Sequence, residues 1–398
     1  MNMLWSTSAE TPSSSKPVDR RSDQYNQLEL FEKYKTDSRS ATNDLLLHVV
    51  LFVGSFVALR WFRQMWCRAI LIPFLGLMLV RNFTIFHDCG HNIYTPNTVM
   101  NQVIGAITGG FSLTPYCWTY KHHNHHQTSG LLENELKHDP NELIFHTVKE
   151  YQQLPGWVKT IYKIVRRPSV FFVIVPLVYF LCYHRISIIH IKMRNPELYE
   201  QSLFRIVLDV LFCNIFVFVL CRYLYSIGLL WDLFLATWIG TIVGFLLFFN
   251  QHTFNRPDWD SNDPQSGDTE PADRSDSRSD SRSDSRSDRC YSVSKKEWKQ
   301  SDSGLIGSSL IRIPWFLRYF FNGIEFHHIH HMCAKIPGRN LKRYHDEVMR
   351  TSKAFDGVLC LSIGDCFQNL DLALYDETSG RFVTLEEADA DNNHNTDV

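Results

Sequence analysis

Apolar residues in this chain are bunched rather than spread. They gather in Leu45 to Leu59, Ala69 to Phe86, Val170 to Tyr183, Leu203 to Tyr225 and Leu229 to Phe249, and a membrane span needs about 20 mainly apolar residues. Val99 to Leu113 is milder and carries Gly105, Gly109 and Gly110, so it reads as a re-entrant or interfacial piece. This bunching overrides the prior that 398 residues would divide into two ordinary soluble domains. The pattern predicts an all-α integral membrane protein.

The flanks are polar. Residues 1–42 are rich in Ser and Thr and have no apolar core of the secretory kind, while Glu10, Asp19 and Asp23 argue against an acid-poor transit peptide. That stretch reads as a disordered leader, 43–350 as the membrane domain, and 351–398 as a C-terminal segment ending in an acidic tail from Glu377, similar in character to the leader. Within the domain, 262–300 contains a Ser-Arg-Ser-Asp repeat of period four, a composition that buries no core and reads as a disordered insertion. A net charge of -2 gives no reason to propose nucleic acid as a partner. Ten cysteines without a Cys-x-x-Cys pair read as free thiols.

Three short histidine boxes stand beside the apolar stretches: His87-Asp88-Cys89-Gly90-His91, His122-His123-Asn124-His125-His126 and His327-His328-Ile329-His330-His331. On a helix, His87 and His91 share a face, as do His122, His125 and His126, and His327, His330 and His331. His123 and His328 lie about 100° round the helix from their neighbours and read as polar accompaniment. Eight imidazoles are too many for one ion, so two metals are implied. The His-Glu-x-x-His of zinc enzymes is absent, and so are the glutamate sets of soluble di-iron bundles. An all-histidine pair of sites beside a membrane points to iron and oxygen chemistry.

In box order, spacing and setting, HDCGH, the HxxHH reading of HHNHH, and HHIHH within NGIEFHHIHHMCAKIP resemble the membrane fatty acid desaturases, over roughly Asn43 to Asp346. The resemblance implies about four transmembrane helices with interfacial helices and a cytosolic helical cap. It also implies two Fe ions that use O2 and two external electrons to place a cis double bond in an acyl chain, carried on a lipid or a thioester. His252, ending the last apolar stretch, matches a position where the family commonly supplies a further ligand. Some members place an asparagine four residues earlier to hold a metal-bound water; here that position is Phe248, and Asn250 does not take the role. Asp88 and Glu325 are candidates to accept the distal N–H of a ligating imidazole. Trp118 and Tyr120 read as interfacial anchors ahead of any part in an acyl path. No His-Pro-Gly-Gly stretch marks a fused haem domain, so the family analogy asks for an external donor: a b-type cytochrome with its reductase, or a ferredoxin. The stretches Gly307-Ser308-Ser309 and Lys335-Ile336-Pro337 look most like the acyl-lipid omega-6 type.

If all boxes serve one centre, an even number of crossings separates any two of them. Three apolar stretches lie between His126 and His327, and Val170 to Tyr183, the shortest, with Pro176 inside and Arg166, Arg167 and Arg185 around it, is expected to lie at the interface. The box side then holds most Lys and Arg near the spans and faces the cytosol, in the endoplasmic reticulum for a eukaryote, while Arg60, Arg63 and Arg68 run against this bias. Two other functions compete: a lipid hydroxylase or carotenoid oxygenase on the same scaffold, and a non-catalytic metal-binding or metal-transporting membrane protein. A transporter would place its ionisable ligands near the bilayer midplane, whereas these boxes lie at span ends.

Overall fold

The computed structural model describes residues 30–133, 145–256, 291 and 300–396. The Ser-Arg-Ser-Asp repeat lies outside them. Long apolar helices dominate: α1 (Ser38–Trp61), α2 (Met65–Gly90), the shorter α3 (Thr98–Phe111) and α4 (Trp118–Thr128), α5 (Gly156–Val165), α6 (His184–Arg194), α7 (Leu203–Ser226) and α8 (Leu230–His252), followed by the short α9 (His327–Met332) and α10 (Gly338–Thr351).

Five helical stretches are long and apolar enough to cross a membrane, one more than expected. The fifth is Pro168–Arg194, which extends beyond the predicted Val170 to Tyr183 and is not one regular helix. Short α-helical turns at Pro168–Phe171 and Val175–Val178 lead into a π-helical turn at Tyr179–Tyr183 and then α6. Pro176 supplies no N–H to the ladder, and in the turn before it the Val173 carbonyl accepts from the Trp238 indole at 2.8 Å. α5 exposes Trp157, Ile161 and Ile164 along one stripe beside Lys159 and Lys163, the pattern of a helix lying in an interface. α3 has 14 residues, about 21 Å of helix, too short to cross.

α2 and α8 form the tightest crossing. A side chain at Gly76 would meet the Ala236 carbonyl oxygen at 2.9 Å, and one at Gly240 would meet that of Gly76 at 2.8 Å, so small residues let the two backbones close up. Leu59, Leu75, Met78 and Leu233 pack around this crossing. α7 and α8 form the expected hairpin, turning through Gly228 at φ +73°. At this end Arg68 Nε donates to Asp232 Oδ1 at 2.9 Å. That buried carboxylate gives Arg68 a local reason to be there, independent of the charge bias across the membrane.

Both flanks fold further than their composition suggests. α1 begins at Ser38, capped by the Asp37 side chain on the Ser40 N–H, and Tyr34 is buried against Tyr344 of α10, so residues 30–42 are not part of a disordered leader. The supposed acidic tail is structured through residue 396. Strand β1 (His146–Thr147) pairs in parallel with β4 (Leu374–Asp376), which pairs antiparallel with β5 (Arg381–Val383) with Tyr375 opposite Phe382. A second small sheet joins β2 (Leu310–Ile311) to β3 (Cys360–Leu361). Composition missed this because the few apolar residues of the tail are the buried ones: Phe382 and Val383 pack inward while the acids face out. Phe145, Tyr291, Tyr375 and Phe382 form an aromatic core that roofs the end of α8, with Tyr291 Oη on the His252 carbonyl at 3.5 Å.

Candidate metal centre

Each histidine box sits where a helix delivers it to one end of the bundle. His87 lies in the last turn of α2 and His91 caps it. His122, His125 and His126 share the inner face of α4, His252 ends α8, and His327, His330 and His331 line the short α9. The turn before α9 is tightly constrained. Asn322 and Gly323 have φ of 52° and 82°, and a side chain at Gly323 would sit 2.0 Å from the Gly338 carbonyl oxygen, so only glycine fits.

All nine predicted histidines converge, in two sets. His87, His91, His122, His126 and His330 form one and His125, His252, His327 and His331 the other; within each set the ring nitrogens lie within 4.8 Å of one another. The second and third boxes are shared between sets, because His125 and His126 of one helix point to different sides. Ring pairs such as His126–His331 (4.5 Å) and His327–His330 (5.6 Å) hold the sets side by side.

The donor atoms fit a cation in each set. His252 Nδ1 faces the Gly307 carbonyl at 3.2 Å and donates to it, which leaves its Nε2 as a lone pair. That lone pair lies 2.9 Å from His327 Nε2, itself 3.0 Å from His331 Nε2. One proton on His327 serves only one of these neighbours. In the other set, His87, His91 and His330 have buried Nε2 atoms without a hydrogen-bond partner among the described residues. Buried polar atoms are rarely left so; lone pairs gathered around a common point are what a metal ion satisfies. Burial, then the charge of neighbouring imidazoles, holds His122, His126, His330 and His331 well below the ordinary histidine range, so they stand ready in the neutral, ligating form.

Among the supporting residues, Asp88 stands beside a ring of the first box and reaches further. Its Oδ1 lies 3.4 Å from His87 Nδ1, while Oδ2 accepts from the Gly338 N–H at 2.8 Å and from Asn322 at 3.5 Å. One carboxylate thus ties the first box to both flanks of the third. Glu325 departs from expectation. It is buried, its Oε2 has no hydrogen-bond partner among the described residues, and no ligating ring is bonded to it. Burial, opposed by backbone N–H groups, pushes its carboxyl up to about 7. Arg318 and Lys342 are the charged groups that act on it, a placement that box-adjacent sequence position could not foretell.

His123 and His328 stay outside both sets, as their helical phase requires. His328 is fully buried among Phe326, His345 and Phe355, and burial, then His345, pushes it down to about 3. Asn250 turns away to the Leu246 carbonyl and the Asn369 side chain, while Phe248 stands against His125 and His252 with ring centroids 5.7 and 5.6 Å away.

A cavity of about 140 Å³ opens between α2, α8 and the interrupted helix, with His87, His122 and His327 at one end and Leu79, Phe111 and Gly240 at the other. Trp118, expected as an interfacial anchor, is 6% exposed, lines this cavity and stacks on His122 at 4.9 Å. Tyr120 packs on Tyr199 instead. Sequence reasoning missed Phe180, His184 and Phe245 in the cavity wall; the period of small and aromatic residues Gly240, Gly244 and Phe248 along α8 was the available signal.

The fatty acid desaturase family model matches residues 63–360, three quarters of the chain, including every histidine named above. The chain belongs to the fatty acid desaturase family. A fatty acid desaturase of Bacillus subtilis (strain 168) is 26% identical over 314 residues, covering 77% of this chain and 74% of that protein. Two Arabidopsis thaliana proteins match over short stretches. An acyl-lipid omega-3 desaturase (cytochrome b5) of the endoplasmic reticulum is 38% identical over 15% of this chain and 16% of its own. A chloroplastic sn-2 acyl-lipid omega-3 desaturase (ferredoxin) is 36% identical over 18% and 17%. This desaturase is accordingly a multi-pass membrane oxidoreductase whose histidine clusters make a metal site.

Proposed function

We propose that this desaturase holds two Fe ions and inserts a cis double bond into an acyl chain, using O2 and two electrons from an external donor. The supporting observation is the junction of the two histidine sets with one end of the apolar cavity. An unactivated methylene has no acidic proton, so acid–base groups alone are of little use; iron, when bound, supplies the oxidant. Five neutral rings would hold one ion and four the other. Trp118 and Phe248, packed against rings of the two sets, would shut water from the space between rings and acyl chain. The chain's own residues position two adjacent carbons and exclude side reactions.

We read the substrate as acyl groups carried on lipid or thioester. The donor is a b-type cytochrome with its reductase or a ferredoxin, the two kinds of partner named for plant relatives. Convergence of the boxes at one end keeps the parity argument in force, so the interrupted Pro168–Arg194 stretch does not cross, four spans remain, and the metal site faces the cytosol. In a eukaryote the membrane is that of the endoplasmic reticulum.

The test is the fatty-acid profile of a yeast host expressing the chain beside a His330→Ala control, with double bonds located by mass spectrometry. A new unsaturated species that depends on His330 is the expected result. An added oxygen in place of a lost hydrogen pair would make the chain a hydroxylase or carotenoid oxygenase, and metal uptake without lipid change would make it a transporter.

A further inference from the structure

His184 is a polar group in an apolar wall. It lies at the start of α6, is 2% exposed, and lines the cavity between Phe180 and Trp118, whose ring centroids are 4.6 and 6.0 Å from its own. Its tautomer can be worked out. Nδ1 lies 2.9 Å from Thr114 Oγ1, and Thr114 Oγ1 lies 2.9 Å from the Ser112 carbonyl oxygen. A hydroxyl has one proton. Given to the Ser112 carbonyl, it satisfies a buried acceptor that has no other donor among the described residues, and Thr114 then accepts from His184 Nδ1–H. The charged groups acting on the ring are Lys121 and Arg185; with two cations and no carboxylate beside it, the buried imidazole is neutral.

His184 Nε2 is therefore a lone pair, and it has no partner among the described residues. Nearby, Ser112 Oγ, also in the cavity wall, accepts from Asn82 Nδ2 at 2.8 Å and keeps its own proton. Away from the histidine sets the cavity thus offers an unused acceptor at His184 and an unused donor at Ser112, among walls that are mostly aromatic and aliphatic but include Thr84, Thr237, Thr241 and Gln251. A plain hydrocarbon chain leaves both unpaired, which costs free energy in a dry site. A hydroxyl group on the chain supplies the proton that His184 Nε2 lacks.

We propose that the cavity is matched to acyl chains bearing a hydroxyl group, with His184 Nε2 as the acceptor that selects them. The inference rests on the cavity being the acyl site. His184 is separated from His122 by the ring of Trp118, so it fixes which carbon lies at the histidine sets without touching the reacting atoms: it is a positioning residue. A ketone at the same carbon has no proton for His184 Nε2 and sets a lone pair against a lone pair there, so it binds more weakly than the hydroxyl.

The test uses the purified full-length protein in detergent and a set of 18-carbon fatty acids: the plain chain, a series each carrying one hydroxyl at a different carbon, and the matching ketones. Affinity is read by displacement of a fluorescent fatty acid. One hydroxyl position, or a short run of positions, should bind about tenfold tighter than the plain chain, the worth of one hydrogen bond, and its ketone more weakly than the hydroxyl. His184→Phe should abolish the difference between hydroxylated and plain chains. Thr114→Val, which frees the ring to take either tautomer, should narrow the gap between hydroxyl and ketone, an effect that mere loosening of the wall would not produce. If plain chains bind and no hydroxyl position binds tighter, the two polar groups serve water only and the proposal is overturned while the acyl reading stands. If neither plain nor hydroxylated chains bind, the acyl reading of the cavity falls and the proposal with it.

Discussion

The two histidine sets sit side by side yet are built differently. The larger draws five rings from α2, α4 and α9; the smaller draws four from α4, α8 and α9. The larger is braced through Asp88, a carboxylate that reaches His87 and the backbone of Gly338. The smaller is braced by weaker neutral partners, the Gly307 carbonyl on His252 and Ser303 on His331 at 3.3 Å. The difference bears on retention: one set has a fifth ring and a charged brace, the other has four rings and neutral braces.

The largest effect expected from this contrast is between single ligand removals. His327→Ala should reduce desaturation below detection and halve the metal bound per chain, because four donors become three. His91→Ala should keep more metal, since four rings remain in its set. Metal analysis of the purified variants beside product assays checks both, and equal metal loss in the two variants would remove the distinction. Asp88→Ala should lower metal affinity by roughly 10–100-fold, the usual cost of losing a partner that orients a ligand, read by chelator competition. If only the larger set empties, the brace is local; if both empty, the Gly338 bond is holding α9 for the two together.

Smaller effects follow from backbone and packing. Gly323→Ala forces a side chain onto the Gly338 carbonyl at a left-handed backbone position and should destabilise by at least about 1–3 kcal/mol, measured as thermal inactivation. The smallest belongs to His328→Phe. His328 has two ring nitrogens without partners, among aromatic neighbours, so an apolar ring should be neutral or stabilising by about 1 kcal/mol, with metal content unchanged. Loss of metal in that variant would place His328 in the centre after all.

Much of the site was legible in the chain because helical phase is arithmetic: i, i+3 and i+4 spacing put His122, His125 and His126 on one face and left His123 off it. Spacing could not tell that His125 and His126 part company between sets, since that depends on where α8 and α9 arrive. For Glu325 the reason is related, as nearness in sequence to His327 does not say which neighbours the side chain meets. Span count turns on the interrupted Pro168–Arg194 stretch, whose hydropathy is that of a crossing although Pro176 lacks the N–H of a regular helix. The C-terminal strands were invisible because three-residue strands carry almost no periodicity; Phe382 finds its place only when Phe145 and Tyr375, far away in the chain, are already there.

That last arrangement sets an order of events during synthesis. β1 precedes its partner β4 by more than two hundred residues, and the aromatic roof over His252 closes only after Phe382 has been made. Every ligand has by then left the ribosome, so a nascent chain shows its histidines long before it can shield them. Shielding of the site is thereby tied to completion of the polypeptide, and a chain that stops short at Asp371 would possess all nine rings and lack the roof over His252.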